Sequence, residues 1–101
     1  MEFNISASGT ERKINLSGRL TFQDNEAFRT ILGSFNDEGP DSCSFELADL
    51  EFIDSAGLGM LLLVKDAAES SNLKVTLIHP KGQVKQMLEI TRFHELIEIQ
   101  N

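Results

Sequence analysis

The stretch Asp54-Ser55-Ala56-Gly57-Leu58-Gly59 joins an apolar strand-like run to an apolar helix-like run and sets a lone hydroxyl at the join. A serine at a helix start lies beside backbone N–H groups that have no acceptor within the helix. A phosphate there adds roughly 1.5 to 2 negative charges next to the positive end of the helix dipole. The chemistry this position supports is therefore acceptance of a phosphoryl group. The modified Ser55 is tolerated locally, while an approaching partner meets a bulky new charge. Gly57 and Gly59 each cost a helix about 1 kcal/mol relative to alanine. In a first turn they remove side chains from the rim and let another molecule come close to the backbone. The same residues also fit an ordinary strand-to-helix turn in which Gly57 packs on the sheet, and the local pattern leaves both open. The Gly-x-Gly spacing lacks the third glycine and the downstream acid of a dinucleotide fingerprint.

Other chemistry is sparse. His79 and His94 are far apart, one before Pro80 at a strand end and the other in a polar segment. There is no HExxH, GxSxG or GxxxxGK[ST] pattern and no Cys/His cluster, so neither a metal site, a nucleotide loop nor a catalytic residue is expected. The carboxylates are dispersed rather than paired. A small acid/base enzyme would need His79 or His94 to meet a carboxylate in a pocket. Cys43 is the single cysteine, which excludes an internal disulfide; its alternation with Phe45 and Leu47 marks it as a small core residue.

The bulk properties narrow the class of partner. With 101 residues the chain fits one domain, 1–101, and its 41% apolar content suffices for a core. Sixteen acidic residues against nine basic ones give a net charge of −7, with the cations scattered singly. That balance disfavours nucleic acid and anionic membrane surfaces. The amino terminus lacks the basic-then-apolar pattern of a secretory signal. The longest apolar run, Ala56 to Val64, is about half of the ~20 residues needed to cross a bilayer. A cytoplasmic location is the expectation.

The elements that must hold Ser55 in place follow from periodicity. Phe3, Ile5 and Ala7 alternate, Ser8-Gly9-Thr10-Glu11 offers a turn, and Ile14 and Leu16 alternate again, which predicts a β-hairpin. Phe28, Ile31, Leu32 and Phe35 form one helical stripe, preceded by a Thr21…Asp24 capping-box pattern, and 37–41 is a loop. Cys43, Phe45 and Leu47 predict a strand continuing through Leu50 and Phe52 with a kink. The second helix opens at Ser55; its middle, Met60 to Val64, is apolar nearly all round and is expected to be the most buried helix. Asn72 suits the left-handed residue after it. Leu73, Val75 and Leu77 predict a strand, Val84, Met87, Leu88 and Thr91 a third helix, and the tail an edge strand or docked extension. The order β-β-α-β-α-β-α, with a possible last β, implies right-handed parallel crossovers and a mixed sheet covered by helices.

The segments INLSGRLTF, FELADLEFIDSAGLGMLLLVKDAA and KVTLIHPKGQVKQMLEITRFHELIEI resemble, in order and over essentially the whole chain, the STAS domain. Within that family the resemblance is to bacterial anti-sigma factor antagonists. Its most specific element is D-S-[ST]-G-L-G, matched by residues 54–59, and Leu16 to Leu20 match L-[SG]-G-x-L. The resemblance implies an α/β fold: a single STAS-type domain with a mixed four- to five-stranded sheet and helices mainly on one face. It also implies partner switching without enzymatic activity or cofactors. The unphosphorylated protein binds an anti-sigma factor, often a serine kinase of the histidine-kinase-like ATPase fold, and so releases a sigma factor. That kinase phosphorylates the serine matching Ser55, and a PP2C-like serine phosphatase restores it.

The partner-binding residues implied are Asp54, Ala56, Gly57, Leu58 and Gly59, with Thr21, Phe22, Gln23 and Asp24 on the neighbouring loop. Leu58 and the adjacent backbone are expected to dock. Two departures from the family pattern bear on partner choice: Ala56 stands where a second hydroxyl is common, and Thr21 where an acid is common. The resemblance leaves two other outputs: a kinase/phosphatase pathway (two-component or biofilm) without a sigma factor, and a small subunit of a lipid-transport ATPase complex in which Ser55 stays unmodified.

Overall fold

In the computed structural model, residues 1–33 and 41–101 are described. The hairpin forms as β1 (Glu2–Ser8) and β2 (Glu11–Leu20), closed by a two-residue turn in which Gly9 takes φ 61°. A 3-10 turn (Phe22–Asp24) leads into α1 (Asn25–Gly33). β3 (Ser42–Ile53), α2 (Ser55–Ser70), β4 (Lys74–Ile78), α3 (Gly82–Ile90), a 3-10 turn (Phe93–Glu95) and β5 (Glu98–Gln100) follow. The five strands lie in the order β1-β2-β3-β4-β5, with β1 antiparallel to β2 and the other pairs parallel. This is the expected element order, with the tail as a short edge strand. Phe35 and residues 37–40 of the expected loop lie outside the described residues.

Alternation along the strands separates two faces. Ile14, Leu16, Cys43, Phe45, Leu47 and Leu77 point to the helices and are nearly or wholly buried. Asn15, Ser17, Ser44 and Thr76 point the other way, so the helices cover one face and leave the opposite face open. Phe28 of α1 stacks on Phe45 of β3, with ring centroids 6.3 Å apart. The expected kink in β3 is two register shifts against β2, one between Asn15 and Ser17, one between Gly18 and Arg19. Each inserts an extra residue, as a β-bulge does, and re-aims the strand. The core series therefore moves from Cys43, Phe45 and Leu47 to Leu50 and then Ile53. Phe52 falls on the open face instead, where the Arg19 guanidinium sits 4.2 Å from its ring centroid.

Two expectations about α2 are settled by its packing. Asn72 does take the left-handed conformation after the helix, at φ 55°. Among the described residues α2 is also the most buried helix, as expected, with six buried residues against two each in α1 and α3, but its middle is not enclosed all round. Leu58, Met60, Leu61 and Val64 are buried, but Leu62 is 38% and Leu63 51% exposed. A helix on one face of a single sheet has no second layer to cover its outer side, whatever its composition.

Candidate functional site

The bulged end of β3 delivers Ile53 and Asp54 to the start of α2. Asp54, in extended conformation at φ −103°, is the residue that caps the helix: its Oδ1 accepts from the Gly57 N–H at 2.7 Å. Its own N–H donates to the Leu20 carbonyl at 3.2 Å, tying the join to the end of β2. Ser55 is the first helical residue, one position past the cap, and its side chain is not needed to satisfy the helix end. It is exposed. The N–H groups of Ser55 and Ala56 lie in the turn that finds no intrahelical acceptor, so local donors flank the hydroxyl.

The two glycines separate. A Cβ on Gly57 would lie 2.6 Å from the Leu20 carbonyl oxygen and 2.7 Å from Ile53 Cγ1, so this glycine is buried where α2 crosses the sheet end. A Cβ on Gly59 meets nothing within 4 Å. Of the residues expected to touch a partner, Gly57 and Leu58 are thus turned inward; Leu58 is only 8% exposed and belongs to the core. The reason is the 3.6-residue period: a helix that buries Leu58, Leu61 and Val64 must also bury Gly57. The outward face carries Ser55, Gly59, Leu62, Leu63 and Asp66 at i, i+4, i+7, i+8 and i+11. The apolar run Met60 to Val64 predicts Leu62 and Leu63 to be buried, and the structure turns both outward. The available signal was that a 101-residue domain cannot wrap a helix on all sides.

The loop carrying residues 21–24 comes to the same end of the molecule. Thr21 N–H donates to Asp24 Oδ2 at 2.8 Å, while the amino-terminal ammonium sits 3.0 Å from Asp24 Oδ1. The capping-box pair therefore closes the 3-10 turn that precedes α1. Phe22, at its tip, is 68% exposed. Thr21, Phe22, Gln23, Asp24 and Asp54 line one open groove of about 970 Å³, whose far wall includes Arg19 and Phe52. Among the described residues five carboxylates face that groove, those of Glu2, Asp24, Asp49, Glu51 and Asp54, against the single side-chain cation of Arg19.

A clamp that no local pattern signals holds the join. The Gln83 side-chain amide, from α3, accepts from the Ile53 N–H and donates to the Ile53 carbonyl, both at 2.9 Å. On the open face, His79 is not isolated: its Nδ1 lies 2.9 Å from Glu46 Oε2, and Lys13 Nζ lies 3.8 Å from the same oxygen. Glu46 Oε1 accepts from the Ala48 N–H at 3.1 Å. Burial pushes the Glu46 carboxyl up, but the His79 and Ala48 hydrogen bonds and the His79 and Lys13 charges outweigh it and hold it below its ordinary value. His94 is exposed. Among the described residues no group of three or more His, Cys, Asp or Glu is placed to hold a metal ion. None of their helices is long and apolar enough to cross a membrane.

This site meets a matching family. The family model described as Mlab, STAS domain, matches residues 3–98. The chain belongs to the STAS domain family. A STAS-domain-containing protein of Pseudomonas aeruginosa (strain UCBPP-PA14) is 32% identical over 94 residues, covering 93% of this chain and 92% of that one. A solved putative anti-sigma factor antagonist from Thermotoga maritima superposes with a TM-score of 0.86 at 21% identity, over 98% of this chain and 86% of that one. The anti-sigma factor antagonist SpoIIAA in its unphosphorylated form gives 0.77 at 20% identity, over 99% and 88%. At these identities the two structures establish the STAS fold, and with it the five-stranded mixed sheet and three helices.

Proposed function

We propose that this STAS domain is a phosphorylation-controlled partner switch of the anti-sigma factor antagonist kind. In its unmodified form it binds an anti-sigma factor/serine kinase of the histidine-kinase-like ATPase fold and so frees a sigma factor. Phosphorylation of Ser55 breaks that complex, and a PP2C-like serine phosphatase restores it, all in the cytoplasm. The observation that carries this reading is the position of Ser55: an exposed hydroxyl opening a helix face that continues through the open Gly59 to Leu62 and Leu63. Two exposed leucines on one helix face are an apolar contact surface that the domain does not cover itself. Unmodified Ser55 lies at its edge at little desolvation cost. A phosphate dianion there costs several kcal/mol to bury unless the partner supplies cations. A loss of about 2.8 kcal/mol already weakens binding about a hundredfold.

The domain contributes the acceptor hydroxyl and the docking face, while nucleotide chemistry belongs to the kinase, so the reading assigns it no catalysis. The His79–Glu46 pair fits that reading as a strand tie, since Ala48 and Lys13 also engage the carboxylate.

Pull-down of the cognate kinase by the full chain tests the proposal. Ser55→Ala retains the kinase in the presence of ATP, and Ser55→Asp loses it. Equal retention by both variants contradicts the switch. Capture of a nucleotide-binding transport subunit in place of a kinase, unaffected by ATP, identifies the transport-complex reading instead.

A further inference from the structure

The two edges of the sheet differ sharply. β5 is three residues long and carries Glu98, so it offers little to another strand. β1 runs for seven residues in unbroken register with β2, from Glu2 opposite Ser17 to Ser8 opposite Glu11. Its only charge is Glu2 at one end; from Phe3 to Ser8 it has no charge, no proline and no bulge. Natural edge strands are commonly blunted by one of those devices, and this one lacks them all. Among the described residues no strand pairs with its outer side.

The turn decides which groups face outward. Ser8 and Glu11 close the two-residue turn as its hydrogen-bonded pair, and bonded and non-bonded pairs then alternate along the ladder. Even-numbered residues of β1 therefore bond to β2, and the N–H and C=O groups of Phe3, Ile5 and Ala7 point away from the sheet. Ile5 is also 41% exposed, on the helix-covered face but at its uncovered margin.

The geometry points to antiparallel pairing of β1 with β1 of a second copy, about a two-fold axis at Ile5, joining two five-stranded sheets into one. Such a register sets Ile5 against Ile5 of the partner copy, Phe3 against Ala7, Asn4 against Ser6 and Glu2 against Ser8. Outward-facing residues then meet outward-facing residues, giving about six main-chain hydrogen bonds. Large and small side chains alternate across the axis, Phe3 with Ala7 on one face and the polar pair on the other. The two Glu2 carboxylates end roughly 20 Å apart along the strands, beyond the ~8–10 Å screening length of physiological salt. A chain of net charge −7 thus meets its copy along its neutral edge. This contact lies on the opposite side of the sheet order from β4 and is independent of Ser55. An edge contact buries less than the ~1,200 Å² of stable complexes, so the dimer is concentration-dependent.

Sedimentation velocity of the full chain from ~10 µM to ~1 mM tests the inference, combined with amide exchange read residue by residue. The mass should rise from 11.2 kDa towards twice that value. Exchange at Phe3, Ile5 and Ala7 should slow at least tenfold with concentration, while Asn4 and Ser6 stay protected throughout. Ile5→Lys, which sets two cations on the axis, and Ile5→Pro, which removes an outward N–H that β2 does not use, should both keep the mass at the monomer value. Ile90→Lys, at an exposed residue elsewhere, should leave dimerisation unchanged. A monomer mass at ~1 mM, concentration-independent exchange at the three residues, or a dimer indifferent to both Ile5 variants overturns it.

Discussion

The Gln83 side-chain amide pairs with both main-chain groups of Ile53, imitating a strand partner at the last residue before the Asp54–Ser55 join. Ile53 is fully buried, so without Gln83 its N–H and carbonyl lose partners they cannot replace with water. The phosphoacceptor candidate is thereby fixed by a residue on a different helix.

Replacing Gln83 by Leu keeps much of its volume and removes both hydrogen bonds. The variant is expected to lose about 1–3 kcal/mol, the cost of leaving buried backbone groups unpaired, measured by urea unfolding. Kinase affinity should fall as well, because the end of β3 no longer positions Ser55.

The two glycines near the start of α2 should respond with opposite sign. Gly57→Ala puts a Cβ against the Leu20 carbonyl and Ile53, and overpacking of this kind costs about 1–3 kcal/mol. Gly59→Ala has open space and gains up to ~1 kcal/mol of helix propensity. Thermal unfolding of the two single variants reads the difference directly.

Leu62→Glu and Leu63→Glu separate stability from binding. Leu63 is half exposed and Leu62 38% exposed, so folding free energy should change by about 1 kcal/mol or less, well short of a core substitution. Partner affinity should drop at least tenfold as charge enters the apolar face. Leu61→Ala, in the core of the same helix, should instead cost about 2–5 kcal/mol.

Glu46 gives the fold an acid-sensitive tie. Its carboxyl titrates below the ordinary value of 4.5 in the folded chain, so the unfolded state binds the proton more readily. The stabilisation is present above that ordinary value and is lost as pH falls through the lower folded value. Melting temperatures of the protein and of Glu46→Gln, measured from pH 7 to pH 3, should therefore converge towards the acid end. A constant difference across that range contradicts the assignment.

Most of the fold was legible because its signals are local. The hairpin alternation, the Phe28–Ile31 stripe and the left-handed Asn72 each declare an element without reference to the rest of the chain. What escaped depends on contacts distant in sequence. Gln83 sits 30 residues from Ile53, and Glu46, lodged between Phe45 and Leu47, finds His79 33 residues on. The kink in β3 could be expected from the break in alternation, but its two bulges belong to the pairing with β2. At the join, the sequence leaves two readings of Gly57 open, and the helical phase decides between them: Asp54 takes the capping role, Gly57 packs on the sheet end, and Leu58, expected to dock, turns inward. The same phase turns Leu62 and Leu63 out, which composition alone does not reveal.

The most direct test is the affinity of the purified chain for the proposed kinase before and after stoichiometric phosphorylation, with mass spectrometry locating the phosphate. One phosphate is expected, on Ser55, with binding at least a hundredfold weaker and the circular-dichroism spectrum unchanged. A phosphate elsewhere with Ser55 unmodified, or undiminished affinity once Ser55 carries it, would contradict the account.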